Sequence, residues 1–522
     1  MKLALAKEMR HLDTSAIAEY RIPGLILMEN AGRGTVDAIA KHYGELSDMV
    51  VVVVIGPGNN GGDGLVIARH IRQCGGRPQV FLLVDPKKFT GDSAANLEMV
   101  RQLEIPVFTA DNQEKVQSLS NYLPGCQLIV DAIFGTGLAR NLSDHYPAAV
   151  NIINSSSLPV VSVDIPSGLN SDNGQAMGEC IKADLTATYG LAKPGHFLGQ
   201  GPEATGILEL IDISLAPQAI NAAGLGIELL TAADVAPWLP ARPRNAHKGT
   251  FGHLLVLAGS RGKNGAALLC CRGALRAGAG LVSLAAPTAL ADLVVSSLPE
   301  AMSIALTNST DGHADIADIA TILAELPGKT AMVIGPGLGK DPATGRLVAE
   351  LYRQLPLPVV VDADGLNLLV AQQVDLKISA GPRILTPHPG EMARLTGFTT
   401  TKIQADRLSS AGDFAKANQV YLVLKGPGTV IAAPDGQLAI NSSGNQLLAA
   451  GGSGDVLAGL IGGLLAQGLS PWQAAGLGVF GHGLAADRLQ RTKNLGFGIL
   501  ASELADELPA ALSQLATIEF KH

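Results

Sequence analysis

The sequence contains few charged and few aromatic residues. Of its 522 residues, 16% are Asp, Glu, Lys or Arg and 4% are Phe, Trp or Tyr, whereas 47% are hydrophobic and 61 are glycine. This composition excludes a disordered chain and is typical of a compact α/β enzyme with closely packed helices and many tight turns. Because the chain is too long for one ordinary hydrophobic core, we expect at least two domains.

Basic runs and a regular cysteine pattern are also absent. The formal net charge is −8 and no run of lysine or arginine occurs, so no nucleic-acid partner is predicted. The only cysteines adjacent in sequence form a vicinal pair, which is not a metal-ligand pattern; the five are Cys74, Cys126, Cys180, Cys270 and Cys271. We therefore predict reduced thiols in a cytoplasmic protein. The N-terminal MKLALAKEMRHLD has too short an apolar run for a signal peptide.

One uncharged stretch, Val456 to Ala486, is long enough to suggest a membrane span. It is interrupted by QGLSPWQ, residues Gln467 to Gln473, whose Gly and Ser-Pro residues favour a break between two helices. The pattern therefore predicts two buried helices of a globular core, and no membrane partner is expected.

Apolar runs alternate with helical patterns in both halves, which indicates two doubly wound α/β domains with mostly parallel sheets. The predicted strands lie within 49–56, 80–86, 128–135 and 159–168 in the first half, and within 253–260, 331–337, 358–365, 383–391 and 420–428 in the second. An alanine-rich stretch with little periodicity separates the halves. We assign residues 1–220 to the first domain, 221–235 to a linker and 236–522 to the second domain.

The first predicted strand ends in GPGNNGGDG, Gly56 to Gly64. Glycines allow left-handed turns and bring backbone amides close to a ligand. We expect a helix to begin at about Asp63, with an N-terminus that favours phosphate. The alternative is a tight strand-to-helix turn without a ligand. The motif is not GxGxxG, so a standard dinucleotide fingerprint is not supported.

Three other polar residues are expected at neighbouring strand ends of the first domain. Asn60, Asp131 and Ser167 offer hard oxygen ligands, which suit a hard cation better than zinc. Asp164 ends the fourth strand, in VDIPSG. Each aspartate taken singly could instead cap a helix or turn, but three such loops together predict a site at the carboxyl edge of the sheet.

In the second domain, GGSGD (Gly451 to Asp455) precedes the helical pattern VLAGLIGGLLAQG. The amides of a glycine-rich turn form an anion-binding nest, and the helix dipole adds positive potential there. Asp455 would then lie beside a bound phosphate, which suits a general base for a hydroxyl that attacks the phosphate. The alternative is a plain N-terminal cap, for which Ser453 alone would suffice.

Further loops of the second domain suit phosphoryl transfer. KGPGT (Lys425 to Thr429) can place amides and an ammonium against a nucleotide, and GPGLG (Gly335 to Gly339) and TPHPGE (Thr386 to Glu391) can line a cleft. His388 lies between two prolines, which favours binding, although a lone loop histidine is as often incidental. Arg244, His247 and Lys248 could contact phosphate or form a solvated basic loop. No GxxxxGK[ST] occurs, so a P-loop enzyme is excluded.

These motifs together resemble those of bifunctional NAD(P)H-hydrate repair enzymes, over nearly the whole chain. MENAG, GPGNNGGDG, DAIFGTGL and VDIPSG resemble the epimerase half, and HKGTFGHLLVLAGS, GPGLG, TPHPGE, LKGPGT and GGSGDVLAG resemble the dehydratase half, in the expected order. The resemblance implies a Rossmann-like first domain and a ribokinase-like second domain.

The resemblance also implies the chemistry. NADH or NADPH hydrated at C6 of the nicotinamide ring exists as R and S forms, which the first domain would interconvert. The second domain would phosphorylate the S-form hydroxyl with ADP (or ATP), and phosphate elimination would restore NAD(P)H, leaving AMP and phosphate. Magnesium on the phosphates is expected on charge grounds. A cytoplasmic homo-oligomer is the expected state.

Residue roles carried over from the resemblance are expectations. The epimerase site would bind the hydrate through Asn59, Asn60, Gly61, Gly62, Asp63, Gly135, Thr136, Gly137, Leu138, Ala139, Arg140, Asn141, Tyr146 and Asp164. Asn60, Asp131 and Ser167 would hold potassium, and Asp164 is our candidate acid/base group. The dehydratase site would bind the hydrate through Ala266, Gly337, His388 and Asp455, with Asp455 as the base, and the nucleotide through Lys425, Gly426, Pro427, Gly428, Thr429 and Gly454.

Two alternatives stay open at this point. A different ribokinase-type enzyme, such as a vitamin-precursor kinase fused to a regulatory domain, would need the same GGSGD loop; the full set of N-terminal loops argues against it. The N-terminal half could instead be a non-catalytic binding or scaffold module. Loss of Asp131 or Asp164 would have favoured that hypothesis, and both residues are present.

Overall fold

The computed structural model describes residues 1–307, 312–494 and 496–517. The chain forms two compact units whose boundary falls between Ile227 and Glu228. This boundary lies within the stretch assigned to a linker. The stretch is not featureless, because it holds the end of one short helix, a strand and a second short helix.

The N-terminal unit is an α/β layer structure. Its strands are β1 (Lys2–Leu3), β2 (Val50–Ile55), β3 (Arg77–Leu82), β4 (Val107–Thr109), β5 (Leu128–Ala132), β6 (Val160–Val163), β7 (Leu185–Tyr189) and β8 (Ile207–Ile211). Its helices are α1 (Ala6–Ala18), α2 (Gly24–Tyr43), α3 (Asn59–Gln73), α4 (Gly91–Gln102), α5 (Gln113–Gln117), α6 (Tyr146–Asn154), α7 (Gly201–Ala204) and α8 (Pro217–Ala222). Seven strands form a parallel sheet in the order β4-β3-β2-β5-β6-β7-β8.

The central strand β2 reads VVVVVI and is almost fully buried, as expected for a parallel strand covered on both faces. Its partner β5 ends in register with it, Ile55 opposite Ala132. Gly56 is required directly after β2, because a Cβ there would lie 2.0 Å from the Ile133 carbonyl oxygen. Gly58 (φ +87°) then turns the chain into α3. The helix therefore begins at Asn59, four residues earlier than predicted, because the left-handed glycine completes the turn at once.

The C-terminal unit is a second α/β structure. Its strands are β9 (Ile227–Leu230), β10 (His253–Leu257), β11 (Leu281–Pro287), β12 (Met302–Leu306), β13 (Ala331–Ile334), β14 (Val359–Val361), β15 (Arg383–Leu385), β16 (Tyr421–Leu424), β17 (Val430–Ala432) and β18 (Leu438–Asn441). Its helices are α9 (Ala232–Val235), α10 (Asn264–Arg276), α11 (Thr288–Ser297), α12 (Ile319–Ala324), α13 (Pro342–Gln354), α14 (Asp364–Ala371), α15 (Pro389–Thr396), α16 (Thr400–Ala405), α17 (Arg407–Asn418), α18 (Ser453–Ala466), α19 (Pro471–Lys493) and α20 (Ala501–Ala516).

The sheet of this unit runs β9-β18-β17-β16-β15-β14-β13-β10-β11-β12. The pairs from β12 to β16 are parallel, and β16, β17 and β18 form an antiparallel meander. The carboxyl ends of β13, β14, β15 and β16 therefore meet at one edge, where ligands bind in such folds.

The uncharged stretch Val456 to Ala486 lies within two helices of the core, α18 and α19, as predicted. Glycines let α18 approach α10 closely: a Cβ on Gly459 would lie 2.0 Å from the Cys270 carbonyl oxygen. No helix among the described residues is both long enough and apolar enough to cross a membrane.

Candidate functional sites

A cavity of about 870 Å³ opens at the carboxyl edge of the N-terminal sheet. It is lined by predicted residues, namely Asn59, Asn60, Asp63, Gly135, Thr136, Gly137, Leu138, Ala139, Arg140 and Asp164. It is also lined by side chains that the sequence analysis did not single out, including Asp13, Tyr189 and Lys193. The structure thus gathers α1, α3 and the loops after β5, β6 and β7 around one cavity.

Four of the residues predicted to bind the hydrate do not line that cavity. Gly61 and Gly62 are packing positions, since a Cβ on Gly61 would lie 2.2 Å from the Gly56 carbonyl oxygen and one on Gly62 would clash with Met28. Asn141 also lies outside the cavity lining. The ring of Tyr146 packs edge-on against Phe134, with centroids 4.7 Å apart, and lines a neighbouring cavity of about 560 Å³.

Asp164 lies directly after β6 in a left-handed conformation, φ +66°. Its Oδ1 accepts a hydrogen bond from the buried Lys193 ammonium at 2.5 Å, and Lys193 also donates to Thr188 Oγ1 at 2.9 Å. Burial opposes ionisation of Asp164, but the adjacent Lys193 ammonium outweighs burial and holds the pKa of this carboxyl below its usual value. Asp164 is therefore ionised at neutral pH.

His196 fixes the backbone of this ion pair. Its Nδ1 accepts a hydrogen bond from the Lys193 amide at 3.1 Å, so Nε2 carries the proton and donates to the Asp164 carbonyl oxygen at 3.1 Å. Burial and the nearby Lys193 lower the pKa of His196 to about 4, so the ring is neutral. Sequence reasoning missed both residues, although AKPGH follows a strand in the same way as the predicted loops do.

Two more carboxyl groups face the same cavity. Burial, reinforced by the neighbouring Asp164, raises the pKa of Asp13 to about 6 and that of Asp63 well above its usual value. Neither carboxyl makes a hydrogen bond or ion pair with another described residue. One lysine thus faces three carboxyls, so all three are not ionised together.

The predicted cation ligands differ in burial, because Asp131 and Ser167 are buried whereas Asn60 is half-buried and lines the cavity. Asp131 is fully buried; Oδ1 accepts from Ser167 Oγ at 2.6 Å, and Oδ2 accepts from the Ser167 amide at 2.9 Å and from Ser162 Oγ at 2.8 Å. Asn60 lies against Gly135, where a Cβ would be 2.8 Å from Asn60 Oδ1. Among the described residues no basic side chain pairs with Asp131, and no cluster of three or more His, Cys, Asp or Glu could hold a metal ion.

In the C-terminal unit, Asp455 lies in the first turn of α18. Gly452 (φ +91°) precedes the helix, and Ser453 donates its hydroxyl to the Leu448 carbonyl oxygen at 2.8 Å. Ser453 therefore does not cap α18, so the GGSGD motif is not explained by a Ser453 cap. The amides of Gly454 and Asp455 have no acceptor within the helix and can bind an anion.

Asp362, which the sequence analysis did not single out, pairs with Lys425 beside this turn. Lys425 Nζ donates to Asp362 Oδ1 at 2.6 Å and lies 3.9 Å from Glu391, and Thr386 Oγ1 donates to Asp362 Oδ1 at 2.8 Å. A Cβ on Gly454 would lie 3.5 Å from Lys425 Nζ. The structure therefore places this ammonium at the N-terminus of α18, where both would attract a phosphate.

Asp455 is a carboxyl with a strongly shifted pKa. Burial, and then the charge of Asp362, raise the pKa of Asp455 to about 7, and Lys425 only partly opposes them. A group whose pKa matches the operating pH is well suited to general base catalysis.

The other predicted hydrate-binding residues lie on separate loops. Gly337 (φ +65°) and Ala266 are neighbours, because a Cβ on Gly337 would lie 3.0 Å from the Ala266 Cβ. His388 Nδ1 caps α15 by accepting from the Gly390 amide at 3.0 Å, and its ring is half-exposed. Predicted basic residues Arg244, His247 and Lys248 are all exposed.

The predicted nucleotide loop Lys425 to Thr429 is a tight turn, and hydrogen bonds from Arg407 fix the backbone where the turn begins. The guanidinium of Arg407 donates to the carbonyl oxygens of Leu424 at 2.8 Å and Lys425 at 3.2 Å. Gly426 has φ +132° and Gly428 has φ +59°, and Thr429 Oγ1 closes the turn by donating to the Gly426 carbonyl oxygen at 2.9 Å. Pro427 lies between the two glycines.

Comparisons with known proteins also match the two units to two different families. Residues 254–510 match the family described as NAD(P)H-hydrate dehydratase, and residues 24–195 match the family described as YjeF-related protein N-terminus. The bifunctional NAD(P)H-hydrate repair enzyme Nnr of Moorella thermoacetica is 42% identical over 516 residues, 99% of this chain and 97% of its own. That of Thermofilum pendens is 39% identical over 515 residues, with the same coverage.

Among solved structures, the ADP/ATP-dependent NAD(P)H-hydrate dehydratase of Bacillus subtilis, co-crystallised with ATP and Mg²⁺, is 36% identical. It is matched over 100% of its own length and 56% of this chain, with a TM-score of 0.49.

Proposed function

The chain belongs to the family of bifunctional NAD(P)H-hydrate repair enzymes, and we propose that its two sites divide the repair between them. The N-terminal unit interconverts the R and S hydrates of NADH and NADPH. The C-terminal unit uses ADP to convert the S hydrate to NAD(P)H, with AMP and phosphate as the other products.

In the epimerase site, Asp164 is the candidate acid/base group. The ion pair with Lys193 supports this role, because it keeps the carboxylate ionised at a position that faces the cavity. Asn59, Asn60, Asp63 and the loop from Gly135 to Arg140 would hold the hydrate, since they line the same cavity. Gly61, Gly62, Asn141 and Tyr146 would act from outside the lining: the two glycines by allowing close packing of α3, Asn141 by ending the loop and Tyr146 by packing on Phe134.

We propose that Asn60, Asp131 and Ser167 hold a potassium ion. Asp131 is a fully buried carboxylate without a basic partner in the described part of the chain, and a monovalent cation would supply the missing charge. The donors are an amide, a carboxylate and a hydroxyl oxygen, which suit a hard cation. When bound, the ion would neutralise Asp131 and order the loop after β5.

In the dehydratase site, Asp455 would deprotonate the C6 hydroxyl of the S hydrate. Ala266, Gly337 and His388 would line the hydrate position. The amides of Gly454 and Asp455 and the Lys425 ammonium would hold the transferred phosphate, because all three meet at the start of α18. Asp362 would position Lys425 through the ion pair.

The nucleotide would bind at the turn Lys425, Gly426, Pro427, Gly428 and Thr429, together with Gly454. ADP serves as the phosphate donor in this proposal, with ATP as the alternative. Magnesium would screen the phosphates, and the carboxylates of Asp362, Asp364 and Glu391 near Asp455 provide hard oxygen donors for it. Bound magnesium would neutralise charge on the transferred phosphate.

One observation carries the proposal: Asp455 lies at the N-terminus of α18, where free amides and the Lys425 ammonium can bind a phosphate. The pKa of Asp455 is raised to about 7, which suits a base at this position. The test is repair of a mixture of R and S NADPH hydrates by the full chain with ADP or ATP. We expect complete recovery of reduced-nicotinamide absorbance with ADP. No recovery with either nucleotide would contradict the proposal.

Assembly as a homo-oligomer stays a prediction, and so does the cytoplasmic location, which was inferred from the cysteine pattern. Sedimentation analysis of the purified chain would test the first, and cell fractionation would test the second.

A further inference from the structure

The first helix of the chain forms part of the epimerase cavity, although it precedes the matched segment, which begins at residue 24. Met9, Asp13 and Ile17 line the cavity from α1. They are spaced four residues apart and so share one face of the helix. Asp13 is the polar member of this stripe and lies between two apolar side chains.

Helix α1 is fixed in place beside Lys193. The Ala4 amide donates to the Ala192 carbonyl oxygen at 3.1 Å, and Leu3 bridges Ala192 in a parallel pairing. The Ala6 amide, at the first turn of α1, donates to Asp172 Oδ1 at 2.7 Å. The helix therefore has a defined position relative to the residue that pairs with Asp164.

Epimerisation at C6 needs proton transfer at two places. On one face of the ring, the departing hydroxyl must gain a proton; on the other, the adding water must lose one. Asp164 supplies one ionised carboxylate, and a single carboxylate cannot serve both faces at once. A second carboxyl on a different element of the cavity wall meets this need.

We propose that Asp13 is a further catalytic residue of the epimerase, acting as the general acid that complements the base Asp164. This inference rests on the proposed function of the N-terminal unit. Asp13 gives its proton to the C6 hydroxyl, the C6–O bond breaks, and water leaves as the ring nitrogen lone pair forms the iminium cation. A water molecule then bonds to C6 on the other face and its proton passes to Asp164. Cavity water returns that proton from Asp164 to Asp13.

The electrostatics of the cavity agree with this division of roles. Burial and then Asp164 raise the pKa of Asp13 to about 6, so the group can gain and lose a proton near neutral pH. Asp63 has a pKa well above its usual value and stays protonated, which suits a hydrogen-bond donor to the hydrate. The titratable and charged groups that share the cavity with Asp13 are Arg10, Asp63, Asp92, Arg140, Asp164, Tyr189 and Lys193.

The test measures R-to-S conversion by chromatographic separation of the epimers, with the full chain and without nucleotide. We expect Asp13→Asn to slow conversion at least about 100-fold. We expect Asp13→Glu to recover part of the rate. The matched control is Glu19→Gln, which removes the same charge from the exposed end of the same helix and leaves the rate unchanged.

Two further readouts separate catalysis from folding. Dehydration of pure S hydrate with ADP should stay at the wild-type rate in Asp13→Asn, which shows that the chain is folded and active. The wild-type epimerisation rate should fall as pH rises through about 6, because Asp13 loses its proton, and this fall should be absent from the residual rate of Asp13→Asn.

An Asp13→Asn rate within about threefold of wild type, with the fall near pH 6 retained, would overturn the assignment of Asp13 alone. Absence of epimerisation in the wild-type chain would instead overturn the proposed function of the unit.

Discussion

Each unit places one lysine among several carboxyl groups, but the lysine pairs with a different carboxyl group in each; Lys193 is buried and Lys425 is half-buried. In the N-terminal unit, Lys193 pairs at 2.5 Å with Asp164, the candidate catalytic group itself. In the C-terminal unit, Lys425 pairs at 2.6 Å with Asp362, and the candidate base Asp455 has no such partner among the residues that the structure describes. The two candidate aspartates therefore have opposite pKa shifts although each lies close to a lysine.

This difference shows that the position of the counter-ion decides the protonation state. The paired Asp164 stays ionised although it is buried, because the ammonium outweighs desolvation. Asp455 is also close to an ammonium, yet burial and the negative Asp362 raise its pKa to about 7. A group of the first kind is an ionised base at all physiological pH values, whereas one of the second kind titrates within them.

The variant Asp455→Asn removes the aspartate that titrates near neutral pH. We expect dehydration of the S hydrate to fall by about 1,000-fold or more, because general base catalysis and charge in the site are both lost. Epimerisation should be unaffected. The measurement is absorbance recovery with ADP beside epimer chromatography, and the control is Asp413→Asn, an exposed aspartate of α17. Near-normal dehydration would remove Asp455 from the role of base.

The variant Lys193→Met removes the counter-ion of Asp164 in the N-terminal unit. Asp164 is then a buried carboxylate without a partner, so we expect at least about 100-fold slower epimerisation and a loss of about 3–5 kcal/mol in the free energy of unfolding of this unit. Urea unfolding and epimer chromatography check the two effects. The double variant Lys193→Met/Asp164→Asn should regain stability but not activity. Lys182→Met, at an exposed lysine, is the control. Equal free energies of unfolding for Lys193→Met and Lys182→Met would contradict the ion-pair account.

The buried Asp131 pairs with no lysine in the described part of the chain, so we propose a third arrangement in which a metal ion is the counter-ion. We expect potassium to raise the unfolding temperature of the wild-type chain relative to a large organic cation. Asp131→Asn should weaken apparent potassium affinity by about 10–100-fold. Thermal unfolding across a potassium titration measures this, with Asp37→Asn on the exposed side of α2 as control. An unchanged titration in Asp131→Asn would exclude the proposed ligand.

The smallest expected effect concerns pH. Asp455 acts as a base only when ionised, so dehydration should decline as pH falls through about 7. Asp362→Asn removes a negative neighbour and so lowers the pKa of Asp455, which should move this decline to lower pH by about one unit. The measurement is the pH profile of single-turnover dehydration. A decline that stays in place, or moves upward, would show that Asp362 does not set the pKa.

Much of the fold follows from local pattern. Long buried runs such as Val50 to Ile55 and the glycine-rich loops after them were predictable, because β-branched residues and turn glycines have local physical preferences. Short strands such as β4, β7, β17 and β18 were not predicted, since three to five residues carry too little periodicity by themselves. Strands β14 and β15 are equally short and were predicted only together with the loops that follow them.

The candidate sites also contain residues that local motifs predict and residues that they do not. GGSGD and VDIPSG carry turn and helix-start chemistry within a few residues, so Asp455 and Asp164 could be identified from the sequence. Lys193 lies 29 residues from Asp164, and Lys425 lies 63 residues from Asp362. Nothing in the spacing of either pair predicts contact.

Local preferences and contiguous motifs are enough to predict two α/β halves, the positions of their strand-end loops and the family that they resemble. Tertiary contacts decide which carboxylates have a counter-ion, bring Asp13 on α1 to the epimerase cavity and place Lys425 at the start of α18. These features cannot be predicted from local pattern, because a pKa depends on burial and on charges a few ångströms away, and folding sets both.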